Sequence, residues 1–441
     1  MNRTLIGWTA AVAGAGLALD GIAQEPSGGA EHAPVVELCR PPAQPAPDAE
    51  RAIDLALCLD TSGSMQGLIE AAKQKLWAIV NDLALVEGTP RLRVALYSYG
   101  NNGHLPENGW VAQLTPLSED LDLVSQRLFA LTTNGGTELV GRVVQAATTQ
   151  LDWSSTAGAL KLIVVAGNES ADQDQVVRFR DACKAAIGRG VMVNAIYCGN
   201  PADEIAPGWR EVALLADGQF AAIDHDHGTV VVASPFDAQL ATLSAGINAT
   251  YVPYGADGQR GWENQKAQDS NANGRNSEAV AQRAISKGGK LYCNTSWDLV
   301  DACRNETVKL EELKAEELPE AMRAMTLEEQ RRYVDEKWAE RCKTQAQVAE
   351  LAAQRQAYID AQLKGQGLDE TKAFDFVLRK AIRSQAAAKG FRFPAPPPAP
   401  APPPGTEPSP GTEPSPEPAP KPEPQPQPAP QPQPAPAGSC C

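Results

Sequence analysis

The stretch IDLALCLDTSGSM, residues 53–65, is an apolar run with an abrupt polar ending. Its apolar part is typical of a buried β-strand, and Asp60, Ser62 and Ser64 follow as alternating oxygen-bearing side chains. Asp and Ser at this place can cap the next helix by accepting hydrogen bonds from its free N–H groups. The same side chains can instead point toward one cation, since hard divalent cations prefer oxygen ligands.

Strand and helix patterns alternate regularly after this stretch. Helical spacing of apolar residues begins at Met65, and the segment 160–167 is an almost continuous apolar strand of the kind that helices cover on both faces. The Pro-containing segment 110–117 suits an edge strand. The alternation predicts an α/β fold with a doubly wound, mostly parallel sheet over residues 51–245.

Three polar loops are expected to meet at one edge of this sheet. Ligands of such folds bind beyond the carboxyl ends of the strands, where Asp60, Ser62 and Ser64 lie. The segment AGNES (166–170) ends the next central strand, and the loop TTNGGTE (132–138) precedes a helix. This convergence favours a cation site over simple helix capping.

These motifs, in this order on a βα framework, resemble the von Willebrand factor type A (VWA) domain. That family holds a divalent cation in a metal-ion-dependent adhesion site, built from Asp-x-Ser-x-Ser, a Thr of a second loop and an Asp of a third. The resemblance implies that Ser62, Ser64 and Thr137 offer hydroxyls directly to the cation, while Asp60 orients its waters. Mg²⁺ is the expected ion, with Mn²⁺ or Ca²⁺ as alternatives.

The third loop departs from the family pattern. Asn168 and Glu169 stand where many members have Asp and Gly. Asn168 is the first candidate to replace the Asp, because an amide oxygen can accept from a metal-bound water, and Glu169 is the second. A vestigial site that no longer binds metal is the alternative.

The resemblance implies an adhesion-type, non-enzymatic module that docks a partner's Asp or Glu through the cation. The sequence carries no nucleophile elbow, P-loop or dinucleotide fingerprint. DHDH (224–227) is interpreted as a solvated turn, and His104 lies in a polar loop without a nucleophile signature. Two alternatives stay open: a non-catalytic subunit of an enzyme or ATPase complex, and a structural envelope protein with a vestigial site.

The two ends of the chain predict export and a spacer. Residues 1–23 resemble a cleaved signal peptide, with an uncleaved membrane anchor as the alternative. Residues 24–50 resemble a linker, and the Pro-rich segment 394–441 resembles a disordered tail. A secreted, periplasmic or envelope location follows, with no membrane span after cleavage. The formal net charge of −15 argues against a nucleic-acid partner.

The region after the α/β domain divides into a polar extension (246–303) that packs on that domain and a helical region (304–393). TLEEQ is a capping box in which Thr326 caps a helix that runs to Gly365. A helical hairpin with the segment 370–388 is the expected arrangement, and a coiled coil is the alternative.

The chain has nine cysteines, an odd number, so at least one is free or paired between chains. Cys183 and Cys198 flank one helix-to-strand unit and are the first candidates for a disulfide. Cys293 and Cys303 are the second pair. Cys58 is expected to be a small core residue.

Overall fold

The computed structural model describes residues 51–223, 231–366 and 374–393. The predicted signal peptide, linker, DHDH turn and Pro-rich tail lie outside these residues. Among the helices of the described ranges, none combines the length and the hydropathy that crossing a membrane requires.

Six strands form one mostly parallel sheet. They are β1 (Ala52–Asp60), β2 (Arg91–Tyr99), β3 (Val111–Ser118), β4 (Leu160–Gly167), β5 (Met192–Cys198) and β6 (Phe220–Ile223). Their order is β3-β2-β1-β4-β5-β6, and only β2 and β3 pair antiparallel. Pro116 lies in β3 at the edge of the sheet, where it interrupts the fewest ladder hydrogen bonds. The predicted fold class is confirmed.

Helices cover both faces of the sheet, as the continuous burial of β1 requires. The five helices between and beside the strands are α1 (Gln66–Ala84), α2 (Leu121–Phe129), α3 (Val140–Gln150), α4 (Phe179–Gly188) and α5 (Ala206–Leu214). Leu55 and Leu57 of β1 pack with α1 and α2 on one face. Ala56 and Cys58 pack with α3, α4 and α5 on the other, and Cys58 is a buried core residue as expected.

A second group of helices packs on the outer side of α1 and α2. It consists of α6 (Asp237–Asn248), α7 (Gly258–Asn273), α8 (Ser277–Gly288), α9 (Leu299–Arg304) and α10 (Leu327–Gln366). Helix α7 contacts α2 and α8 contacts α1, whereas α6 and α10 pack against α8. The predicted capping box of α10 is confirmed: the Thr326 N–H donates to Glu329 Oε2 at 2.8 Å, and the Glu329 N–H donates to Thr326 Oγ1 at 3.3 Å.

The last described helix, α11 (Phe374–Ala388), belongs to the core of the sheet. Leu378 and Ile382 are buried among side chains of β1, β4 and β5, and α11 packs against α1. The expected hairpin of this helix with α10 is therefore not the arrangement that the structure has. The apolar stripe of α11 covers a part of the sheet face that α1 and α2 leave open.

Neither predicted cysteine pair is formed. Cys183, Cys198, Cys293 and Cys303 are all free. Cys183 of α4 is buried on one face of the sheet and Cys198 of β5 on the other, so the sheet itself separates the first pair. The prediction considered only that the two cysteines flank one helix-to-strand unit, and it ignored the face of the sheet toward which each side chain points.

Candidate metal centre

The polar ends of β1 and β4 and the loop that precedes α3 meet at one edge of the sheet, as the sequence predicts. Asp60 is the last residue of β1 and Gly167 the last of β4. The loop that precedes α3 docks on the β1 loop through backbone hydrogen bonds, since the Gly63 N–H donates to Gly135 O at 3.1 Å and the Asn134 N–H donates to Thr61 O at 2.9 Å. The predicted convergence of three loops is therefore present.

Asp60 is completely buried at this edge. Its Oδ1 accepts a hydrogen bond of 2.7 Å from the Ser62 N–H, which fixes the turn after β1. Its Oδ2 is also buried and accepts a hydrogen bond from no described group. A buried carboxylate oxygen without a donor is costly, so this atom is suited to contact a cation or a metal-bound water.

Ser62, Ser64 and Asn168 form a connected row of oxygen-bearing side chains. The hydroxyls of Ser62 and Ser64 lie 3.2 Å apart, and the Asn168 amide nitrogen donates to Ser64 Oγ at 3.1 Å. Ser62 is buried and Ser64 is exposed, so the row leads from the core to the solvent. The structure thus brings the third loop into contact with the first.

Thr137 and Glu169 have no described side-chain hydrogen bond to this row. Thr137 is half-buried and forms an isolated antiparallel bridge with Gly100, the residue after β2. Glu169 is exposed, and its backbone carbonyl accepts from Trp209 Nε1 at 2.7 Å. Of the two candidates in the third loop, only Asn168 has a described side-chain contact with the serines.

Glu138 is a residue of this edge that the sequence reasoning missed. It follows Thr137 directly and is only 3% exposed, although it carries a carboxyl group. Burial raises its pKa, and the nearby charge of Glu169 raises this pKa further. Burial also raises the pKa of Asp60, and the adjacent Glu138 carboxyl adds to that rise. A Glu inside a Gly-rich loop, next to a candidate ligand, was the available signal.

Gly100 allows this crowding. A Cβ at this residue would lie 2.8 Å from Asp60 Oδ1 and 2.9 Å from Glu138 Cγ, and its φ of +75° favours glycine. The backbone after β2 therefore passes close to both carboxyl groups.

A chain of hydroxyl and imidazole contacts fixes the base of the β1 loop. His104 Nε2 lies 2.7 Å from Ser98 Oγ, which lies 2.6 Å from Thr61 Oγ1. Ser98 is fully buried, so it cannot meet a substrate as a nucleophile. Ser98 and His104 therefore hold the side chain of Thr61, the residue between Asp60 and Ser62.

The donor set of this edge fits a hard divalent cation. It consists of carboxyl, hydroxyl and amide oxygens, which Mg²⁺ and Ca²⁺ prefer. In the described ranges, no group of three or more His, Cys, Asp or Glu side chains is arranged to hold a metal ion. The candidate metal centre (Asp60, Ser62, Ser64, Thr137 and Asn168) therefore depends on neutral hydroxyls beside a buried carboxyl group.

Comparisons with known proteins agree with this architecture. Residues 54–205 match the family model of the von Willebrand factor type A domain. No curated protein matches the chain.

Among solved structures, proximal thread matrix protein 1 from the mussel byssus matches with a TM-score of 0.31 and 12% identity, over 40% of this chain and 43% of that protein. An aerotolerance-related membrane protein from Bacteroides fragilis matches with a TM-score of 0.29 and 17% identity, over 40% of this chain and 94% of that one. A von Willebrand factor type A protein from Catenulispora acidiphila matches with a TM-score of 0.31 and 18% identity, over 39% of each chain. This chain thus spans less than half of the mussel protein.

The α/β sheet, its polar edge and the family match concern the same part of the chain. Such domains commonly mediate protein–protein interaction or adhesion. Residues 54–205 are therefore a von Willebrand factor type A domain.

Proposed function

We propose that this protein is an exported binding module that docks an Asp or Glu side chain of a protein partner through a divalent cation at the candidate metal centre. Mg²⁺ is the proposed ion, with Mn²⁺ or Ca²⁺ as alternatives that take the same oxygen ligands. The observation that carries the proposal is the buried Asp60 Oδ2, which accepts a hydrogen bond from no described group. Asp60 contacts Ser62, and the side chains of Ser62, Ser64 and Asn168 form the connected row that leads to the solvent.

The residues of the candidate metal centre have different proposed roles. Ser62, Ser64 and Thr137 offer neutral hydroxyls as ligands, and Asp60 supplies charge and accepts from a metal-bound water. Asn168 holds the Ser64 hydroxyl in place and stands for the usual third-loop Asp, while Glu169 adds negative charge from the exposed side. A bound cation with mostly neutral ligands supplies an electron-poor centre with an open position for a carboxylate.

The rest of the domain favours docking over catalysis. VWA domains are generally non-enzymatic interaction modules. The protein is acidic, with a formal net charge of −15, so attraction over long range does not bring an acidic partner to it. Local coordination of the partner's carboxylate has to supply the affinity.

The first test measures the metal itself. Calorimetric titration of Mg²⁺ and Mn²⁺ into the full chain is expected to give saturable binding that Asp60→Asn and Ser64→Ala reduce at least tenfold. Asn keeps an acceptor for the Ser62 N–H, so the turn after β1 is preserved. The exposed Glu107→Gln, in a neighbouring loop, is the control and should bind as the wild type does. Equal heats from wild type and Asp60→Asn would contradict the proposal.

The second test concerns the partner. Proteins retained from envelope extract by the immobilised chain should be released by EDTA but withstand moderate salt, because a coordinated carboxylate is screened less than a surface ion pair. A partner retained in EDTA would place its binding surface elsewhere.

A further inference from the structure

The third loop has Asn168 where the family pattern has Asp, yet the domain holds a second carboxyl group beside Asp60. Asn168 is neutral and makes its described contacts with Ser64. Glu138, from the loop that precedes α3, brings its side chain next to that of Asp60 where the chain passes Gly100. The charge missing from one loop is therefore present in another.

Glu138 is buried with an oxygen that nothing described satisfies. Glu138 is 3% exposed, and its Oε2 accepts a hydrogen bond from no described group. Asp60 Oδ2 is in the same condition. Buried polar atoms are seldom left without a partner, so these two neighbouring carboxyl oxygens are expected to share a cation or a proton.

A Cβ at Gly100 would lie 2.8 Å from Asp60 Oδ1 and 2.9 Å from Glu138 Cγ, so the two carboxyl side chains lie close together. The backbone enforces this approach: Gly100 passes beside both side chains, and the Glu138 N–H donates to Gln173 Oε1 at 3.2 Å. Neither oxygen accepts from a Lys or Arg of the described residues. Arg142, on the helix that Glu138 precedes, is occupied by Asp174 at 2.7 Å.

The exposed Glu169 does not serve the same purpose. Glu169 is exposed and its side chain has no described hydrogen bond, whereas its backbone carbonyl accepts from Trp209 Nε1. A carboxylate held in place by burial can bind a cation without losing the rotamer freedom that an exposed Glu would lose.

We propose that Glu138 is the second carboxylate of the metal centre and supplies, from the second loop, the negative charge that Asn168 does not. This inference rests on the proposed function, because it assumes that a divalent cation binds beside Asp60. Glu138 and Asp60 then face the cation together, and Asn168 acts on Ser64 alone. The site keeps two carboxylates through a different set of loops.

The test compares Glu138→Gln with the wild type in two measurements. In Mg²⁺ titrations, the affinity of Glu138→Gln is expected to fall at least tenfold, whereas the control Glu107→Gln, at an exposed residue outside the metal centre, should change it less than threefold. In thermal unfolding with EDTA, Glu138→Gln is expected to melt at or above the wild-type temperature, because the amide can donate to Asp60 and the contact between two carboxyl groups is gone. With saturating Mg²⁺ the order should reverse, since only the wild type gains stability from the ion.

The outcomes separate the two proposals. If the wild type binds Mg²⁺ and Glu138→Gln binds it with equal affinity, this inference is overturned and the proposed function stands. Wild type that binds neither Mg²⁺ nor Mn²⁺ would overturn both. Should Glu138→Gln fail to fold, Glu138→Asp replaces it: the shorter carboxylate should retain Mg²⁺ binding weakened at least threefold, and unchanged affinity would count against the role of Glu138.

Discussion

At the scale of single residues, the edge of the sheet is built around a backbone that comes very close to buried carboxyl groups. Gly100 has no side chain and a left-handed backbone, and both properties are needed where it passes Asp60 and Glu138. Gly136, in the loop before α3, has open space where a Cβ would be. These two glycines provide a matched comparison.

We expect Gly100→Ala to lose Mg²⁺ binding and to reduce the free energy of unfolding by about 1–3 kcal/mol from backbone strain alone. The added Cβ would also push against Asp60 Oδ1. Gly136→Ala should leave both quantities within error of the wild type. Urea unfolding and Mg²⁺ calorimetry on both variants measure these effects, and undiminished Mg²⁺ affinity in Gly100→Ala would contradict the close approach of Gly100 to Asp60.

At the scale of elements, the most informative helix is α11. It lies far along the chain from β1, yet its buried side chains complete the core on the α1 face of the sheet. Its polar residues also contact the domain: Gln385 and Asn194 exchange hydrogen bonds of 2.8 Å, and Arg383 Nε donates to Asp82 at 2.8 Å. The VWA domain therefore depends on a helix from outside the matched segment 54–205.

We expect Ile382→Ala to reduce the free energy of unfolding by about 2–5 kcal/mol, because it leaves a cavity in the core of the sheet. Ile382 is fully buried. Ile359→Ala, a half-buried residue of α10, is the control and should cost clearly less. Urea unfolding followed by circular dichroism measures both, and equal losses would indicate that α11 is not part of this core.

At the scale of the whole molecule, buried ion pairs connect the outer helices to the VWA domain. Arg283 of α8 is 1% exposed, donates to Asp122 of α2 at 2.6 Å and to Asp269 of α7 at 2.9 Å, and stacks on Trp77 of α1. Lys75 of α1 pairs with Glu278 of α8 at 2.6 Å. These contacts explain why α7 and α8 are ordered on the domain although their sequence has few large apolar residues.

We expect Arg283→Ala to reduce the free energy of unfolding by about 3–5 kcal/mol, since it leaves Asp122 buried without its cationic partner and Asp269 with Lys287 alone. Arg180 pairs with Asp172 and Glu211 at the surface, so Arg180→Ala should have little effect. Thermal or urea unfolding of both variants tests the difference. A small loss for Arg283→Ala would mean that the Arg283 ion pairs contribute little to holding the outer helices on the domain.

The sequence by itself determined the α/β fold and most of the polar edge. Strand and helix patterns depend on spacing within a few residues, and the carboxyl ends of parallel strands share one edge, so the meeting of Asp60, Ser64 and Asn168 could be predicted. The capping box at Thr326 is local in the same way and was also predicted correctly.

Only the tertiary structure decided which distant groups share an environment. The burial of Glu138 depends on the path of the chain at Gly100, and the sheet faces of Cys183 and Cys198 depend on strand register. The location of α11 depends on which part of the sheet the other helices leave uncovered. Such contacts join residues far apart in the chain, and their energies come from packing and desolvation that no short sequence pattern records.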